Sequence, residues 1–348
     1  MKRVLPISSL RFVLAMWVVL GHFFPPILHD KQHSLPLVAA RAFLNNSVNG
    51  QAAVIVFFII SGFCIHFPNR KGLAIRSWKM YFTRRYVRIL IPMTVAIALS
   101  VPLGMKFGLF SDSILWSLLC EEIYYLLYPG LLTLRDSFGW RNLLIAAWSL
   151  SLLVILTHPG ARYFLSFGPA LTWALFLPCW LLGCRLAERL DSLSALPVSA
   201  PQIWMWRVGI WAISVAASAV SFHTPIGFPW TLNLFALPAV CWVEREIRFY
   251  RAGRDPKFES LGEASYSIYL THVHGMAFLY LLPLSNILGP WSLWFGGMFF
   301  CGSFATLFYW LVERPSHQLA RRLSRPAGSI GSEQPLAADV AKAKRAGM

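Results

Sequence analysis

The stretch "SSLRFVLAMWVVLGHFF", residues 8–24, sets a guanidinium and an imidazole, Arg11 and His22, into an otherwise apolar run. Both groups are expensive in hydrocarbon, so ionisable residues at such positions are read first as parts of a site. On a helix, eleven residues return to within about 20° of the starting azimuth and rise about 16 Å, so Arg11 and His22 share one wall near its opposite ends. An imidazole takes and returns a proton near neutral pH, which makes His22 a candidate general base. The alternative is interfacial, with Arg11 snorkelling to headgroups at one end and His22 in the interface at the other.

Three later stretches add groups of matching chemistry. In "MYFTRRYVRILIP", Arg85 and Arg88 are spaced i, i+3 and lie on one helix face, with Arg84 neighbouring Arg88 at i+4. Guanidinium forks match phosphate oxygens, so this is a candidate phosphate site facing the cytoplasm; a cluster resting on lipid phosphates is the alternative. In "LWSLLCEEIYYLLYP", Glu121 and Glu122 face about 100° apart, so one of them points at a given interior site. A helix starting near residue 113 puts Glu121 at the depth of His22, where a carboxylate would fix the imidazole tautomer; an ion pair between helices is the alternative. In "LGEASYSIYLTHVHG", Ser265, Tyr269 and His272 form a polar stripe beside Tyr266, Thr271 and His274. Bonds between helices account for the hydroxyls, less readily for His272. Ser61-Gly62 marks a close approach or a helix irregularity. In "VERP", Pro315 is expected to break the last helix, with Glu313 and Arg314 paired at the surface. The six cysteines lack C-x-x-C spacing and read as packing residues, and no Cys/His cluster points to a metal.

The elements that carry these residues follow from composition. The chain has 348 residues, 57% hydrophobic and only 13% charged, against about a quarter charged in soluble domains. Apolar runs of membrane-spanning length recur at roughly 6–27, 48–67, 86–106, 113–133, 141–157, 168–188, 204–222, 227–243, 262–284 and 290–312. The expected fold is an all-α integral membrane bundle of about ten transmembrane helices, since a barrel would show alternating strands of about ten residues. The first run lacks a small-residue cleavage site before Pro25-Pro26 and is read as a retained helix. Of the 31 Lys and Arg, only Lys31, Arg41, Lys106 and Arg162 fall on the outer side of that topology. This asymmetry argues for two cytoplasmic termini, and it makes the net charge of +16 topological rather than a sign of nucleic-acid binding. Residues 1–318 form the expected membrane domain and 319–348, polar and Pro/Gly-bearing, a disordered cytoplasmic tail. No internal repeat is evident, which weighs against transporters built from two homologous halves.

Taken in order, Arg-x10-His, "VFFIISGF", Arg-x-x-Arg before "ILIP", "WSLLCEEIYYLLYP" and "SYSIYLTH" resemble the acyltransferase family 3 of membrane proteins, from about Leu10 to Pro315. The family pattern reads "WSLSVE", from which Leu119-Cys120 departs mildly. The resemblance implies transfer of an acyl group, most often acetyl, from cytoplasmic acyl-coenzyme A to a hydroxyl of a carbohydrate acceptor at the bacterial inner membrane. It implies His22 as the catalytic residue and Arg11, Arg85 and Arg88 as the coenzyme-A phosphate and positioning residues. Joined to the chemistry above, it makes His22 the general base oriented by Glu121, with Tyr266, Tyr269 or His272 stabilising the oxyanion. Membrane lipids and the glycan are the expected partners, and polysaccharide-assembly proteins are further ones; no nucleic acid is expected. The outer segment 26–47 is the expected shaper of acceptor access. The rival reading is a saccharide transporter without covalent chemistry, with His22, Glu121 and His272 as a proton relay.

Overall fold

The computed structural model describes residues 7–26, 35–70, 78–105, 114–190, 192, 197–252, 254, 256–283 and 287–324. Among them the regular structure is helical. The helices are α1 (Ile7–His22), α2 (Leu35–Ser47), α3 (Gly50–His66), α4 (Trp78–Ser100), α5 (Leu115–Thr157) and α6 (Gly168–Arg189). They continue as α7 (Ala200–His223), α8 (Phe228–Arg251), the single turn α9 (Glu259–Gly262), α10 (Ser265–Leu281), α11 (Pro290–Phe308) and α12 (Arg314–Leu323). The expected tail from residue 325 onward, and residues 27–34 of the outer segment, lie outside the described residues.

The expectation of about ten spans is corrected. Among the described residues five helical stretches are long and apolar enough to cross a membrane: Val38–Asn69, Leu115–Thr157, Phe164–Arg189, Ala200–His223 and Pro290–Leu323. Crossing about 30 Å of hydrocarbon takes about 20 apolar residues, and several runs fall short of this once folded. The helix α1 has 16 residues and α10 has 17. The charges of "WKMYFTRRYVR" belong to α4, and those of "EREIRFYR" belong to α8. The runs 113–133 and 141–157 fall in one 43-residue stretch, α5, made of two helical arms joined at a kink where Gly139 takes non-helical backbone angles, φ 73°. The Lys and Arg asymmetry that argues for two cytoplasmic termini is counted on that ten-span topology and falls with it.

At the centre lies α3, apolar on nearly every side and therefore buried almost from end to end. It presses directly on α6: a Cβ on Gly62 would collide with the carbonyl of Trp180, and one on Gly183 with that of Ile59. Gly62 is thus the close approach anticipated from Ser61-Gly62. Near the C-terminus of α3, His66 bonds the Tyr128 hydroxyl at 2.9 Å and Glu188 at 3.0 Å, while Arg135 and Trp140 donate to the same Glu188. This network ties both arms of α5 to α3 and α6.

The end of α11 also differs from expectation. A π-helical turn, Tyr309–Glu313, leads directly into α12, and Pro315 sits in the first turn of α12, where a missing N–H breaks no bond. Pro315 therefore does not end the helix. Glu313 turns inward, 1% exposed, and accepts from the backbone N–H and hydroxyl of Ser267. Arg314 instead lies over the Trp310 ring, 4.2 Å from its centroid.

Candidate functional site

Two cavities hold the residues singled out by chemistry. The smaller, about 170 Å³, is enclosed by α1, α3, α4, α5 and α10 and is lined by Arg11, Arg85, Arg88 and Glu121. The i, i+3 spacing does bring Arg85 and Arg88 to one face. Arg84 leaves that face and donates to the Ser324 hydroxyl at 3.1 Å. Arg85 lies 6.0 Å from the Tyr125 ring centroid. Arg88 Nε donates to His317 Nε2 at 2.8 Å, and that same nitrogen lies 3.6 Å from Glu313, so α12 holds the guanidinium in place. Since Nε2 accepts from Arg88, His317 is neutral at that nitrogen.

Glu121 belongs to this cavity. It lines the cavity beside Arg11, Arg85 and the Ser61 and Tyr125 hydroxyls, which lie 2.8 Å from each other. The expectation that Glu121 orients His22 is therefore corrected: among the described residues no hydrogen bond or ion pair joins them. The reason is axial position. Trp116 of α5 lines the cavity of His22, and Glu121 lies five residues further along. At 1.5 Å per residue that is about 7.5 Å closer to the arginines.

The larger cavity, about 1080 Å³, contains His22 at the C-terminus of α1 together with residues of α2, α3, α5, α7 and α8. His22 is exposed to it. The group beside His22 is His272, completely buried, with ring centroids 5.1 Å apart and a tilt of 49°. His272 Nδ1 lies 2.8 Å from the Tyr269 carbonyl, which can only accept, so Nδ1 carries the proton. His272 Nε2 is then a lone-pair acceptor, buried and without a hydrogen-bond partner. The +4, +3 stripe is only partly satisfied. Tyr269 lines both cavities and His272 packs against the His22 ring, while Ser265 lines the smaller cavity with an unpartnered hydroxyl.

Val54 and Tyr269 line both cavities. The Tyr269 hydroxyl is 2.6 Å from Ser117 Oγ and 3.3 Å from the Ile114 carbonyl, which Ser117 also reaches at 3.1 Å. Ser117 can satisfy that carbonyl alone, leaving the Tyr269 proton free to turn elsewhere. Tyr266 is committed differently: its hydroxyl donates to the Ile89 carbonyl at 3.1 Å. Sequence reasoning missed Ser61, Tyr125, Glu313 and His317, and it took Cys64, which lines the arginine cavity, for packing. The spacing of Glu313 and His317, i, i+4 on one helix face, was the available signal. Among the described residues, no group of His, Cys, Asp and Glu has an arrangement that could hold a metal ion.

Comparison with known proteins adds one finding. The family model described as an acyltransferase domain, the third acyl-transfer family of that name, matches residues 7–313. No curated protein and no solved structure matches the chain.

Proposed function

The chain belongs to acyltransferase family 3, a multi-pass membrane acyltransferase of the bacterial inner membrane, and from that premise we propose that it moves an acetyl or other acyl group from acyl-coenzyme A to a carbohydrate hydroxyl. The observation that carries this reading is that the arginine cavity and the His22 cavity share two wall residues, Val54 and Tyr269, and so lie side by side. A donor with phosphates at one end and a thioester at the other fits such a pair of spaces. Arg85 and Arg88, joined by Arg11, hold the phosphates, and Glu121 balances part of their charge.

His22 removes the proton of the acceptor hydroxyl as that oxygen attacks the thioester carbonyl. His272 Nε2, unpartnered in the structure, is the acceptor to which an imidazole N–H of His22 turns during reaction, so that the other nitrogen of His22 is presented to the acceptor hydroxyl. His272 is in this account a positioning residue, the part the sequence had given to Glu121. Tyr269 turns its proton toward the carbonyl oxygen as charge develops there. Tyr266 donates its hydrogen bond to the Ile89 carbonyl and takes no part in oxyanion stabilisation. The thiol of coenzyme A leaves with the proton that His22 returns.

A saccharide transporter would use His22, Glu121 and His272 as one relay. The separation of Glu121 from the two histidines, and membership in an acyltransferase family, both favour chemistry over relay. The test is to supply acetyl-labelled acetyl-CoA to inside-out membrane vesicles bearing the wild-type chain or His22→Ala. Covalent label in a carbohydrate product, lost by at least about 100-fold in His22→Ala, is the expected result. Label transfer at the wild-type rate in the variant overturns the role of His22, and carbohydrate movement without label overturns the enzyme reading.

A further inference from the structure

Part of the wall of the larger cavity is built by α2 and the first turn of α3, and its polar groups are unevenly satisfied. Asn49 is fully used: its Oδ1 caps α3 by accepting from the Ala52 N–H at 3.1 Å, and its Nδ2 donates to the Ser214 carbonyl at 3.0 Å. Its neighbours are not. Asn46, 7% exposed, donates from Nδ2 to the Ala42 carbonyl, but its Oδ1 is buried without a partner. Gln51 Oε1 is likewise buried and unpartnered, as are Nε and Nη2 of Arg41. All three residues line the same cavity as His22.

The chemistry of these unpaired atoms is specific. Two amide oxygens call for donors, which sugar hydroxyls supply. A guanidinium edge calls for acceptors, and here it also calls for charge. Among the described residues no Asp or Glu lines this cavity, and Arg41 enters no ion pair. A cation drawn from water without a counter-charge is costly, and an entering carboxylate or phosphate removes that cost through two parallel N–H···O bonds. A neutral saccharide satisfies Asn46 and Gln51 but leaves Arg41 uncompensated. Trp116, packed 4.1 Å from the Phe164 ring centroid, and Tyr163 supply the apolar walls that a sugar ring needs.

We infer that the acceptor is an acidic saccharide, whose carboxylate or phosphate is read by Arg41 while Asn46 and Gln51 take its hydroxyls. This rests on the acyl-transfer reading, since it names the acceptor class of the same cavity. It assigns Arg41 to ligand recognition, where the sequence saw only a cation on the outer side.

The test uses the purified full-length chain in detergent with three probes: glucuronic acid, glucose 1-phosphate and glucose. Binding is followed by ligand-observed NMR. At least one charged probe is expected to bind tenfold or more tightly than glucose, and Arg41→Gln should bring the ratio near one. Arg41→Lys, which keeps the charge but loses the fork, should retain part of the preference and serves if Arg41→Gln does not fold. Preference for glucuronic acid identifies a carboxylate, and preference for the sugar phosphate identifies a phosphate. Equal binding of all three probes, or a preference unchanged in Arg41→Gln, overturns the inference and leaves Arg41 to lipid headgroups. Charge-selective binding without label transfer from acetyl-CoA upholds this inference and overturns the acyl-transfer reading. Label transfer without charge selectivity does the reverse.

Discussion

His272→Asn isolates one atom. The amide nitrogen of asparagine can keep the bond that Nδ1 makes to the Tyr269 carbonyl at 2.8 Å, while Nε2 disappears. Nε2 is buried and unpartnered on a ring whose centroid lies 5.1 Å from that of His22, so the variant removes the acceptor proposed to hold the tautomer of His22. As His22 takes the acceptor's proton, its second N–H becomes charged, and a hydrogen bond to a charged group contributes about 1.5–3 kcal/mol. That loss corresponds to a rate about 10- to 150-fold lower. The assay is initial-rate label transfer at varied acetyl-CoA. The expected result is a fall in kcat with KM for acetyl-CoA unchanged, because the donor's phosphates sit in the other cavity. His272→Gln, whose amide reaches toward the place of Nε2, should restore part of the rate. An undiminished kcat in His272→Asn, or a change confined to KM, refutes the assignment.

Other perturbations probe the remaining parts. Arg85→Ala or Arg88→Ala should raise KM for acetyl-CoA by about tenfold or more, the worth of one charge-assisted phosphate contact; an unchanged KM argues for lipid anchoring instead. Gly62→Ala and Gly183→Ala each force a methyl group into a facing carbonyl and should destabilise the chain by about 1–3 kcal/mol, read as a lowered Tm in detergent; an unchanged Tm contradicts the α3–α6 contact.

Local periodicity carried the reading of the site only as far as one helix face. It placed Arg11 and His22 on one wall, and the structure gives Arg11 to one cavity and His22 to the other. It paired Arg85 with Arg88, and both line the smaller cavity. It could not separate Arg84, whose partner Ser324 lies 240 residues away in sequence. The partner of His22 failed for a similar reason: depth along α5 depends on where that helix begins and how it leans. An error of one or two turns moves a carboxylate from one cavity to the next. The number of spans was overread because an apolar run says nothing about continuity. The kink at Gly139 joins two apolar arms within the one stretch α5, and the charges of α4 become visible as part of that helix only once it is folded. Arg41, Asn46 and Gln51 carry no motif at all; their meaning arises from what they leave unpaired around His22.

The central claim is that the donor reaches His22 through the junction of the two cavities. Val54, 6% exposed and lining both, is the place to obstruct it. In a Val54→Trp variant that remains monodisperse in detergent, acetyl-CoA should still bind through Arg85 and Arg88, and label transfer should fall to the level of His22→Ala. Transfer at the wild-type rate with the passage filled would contradict the account.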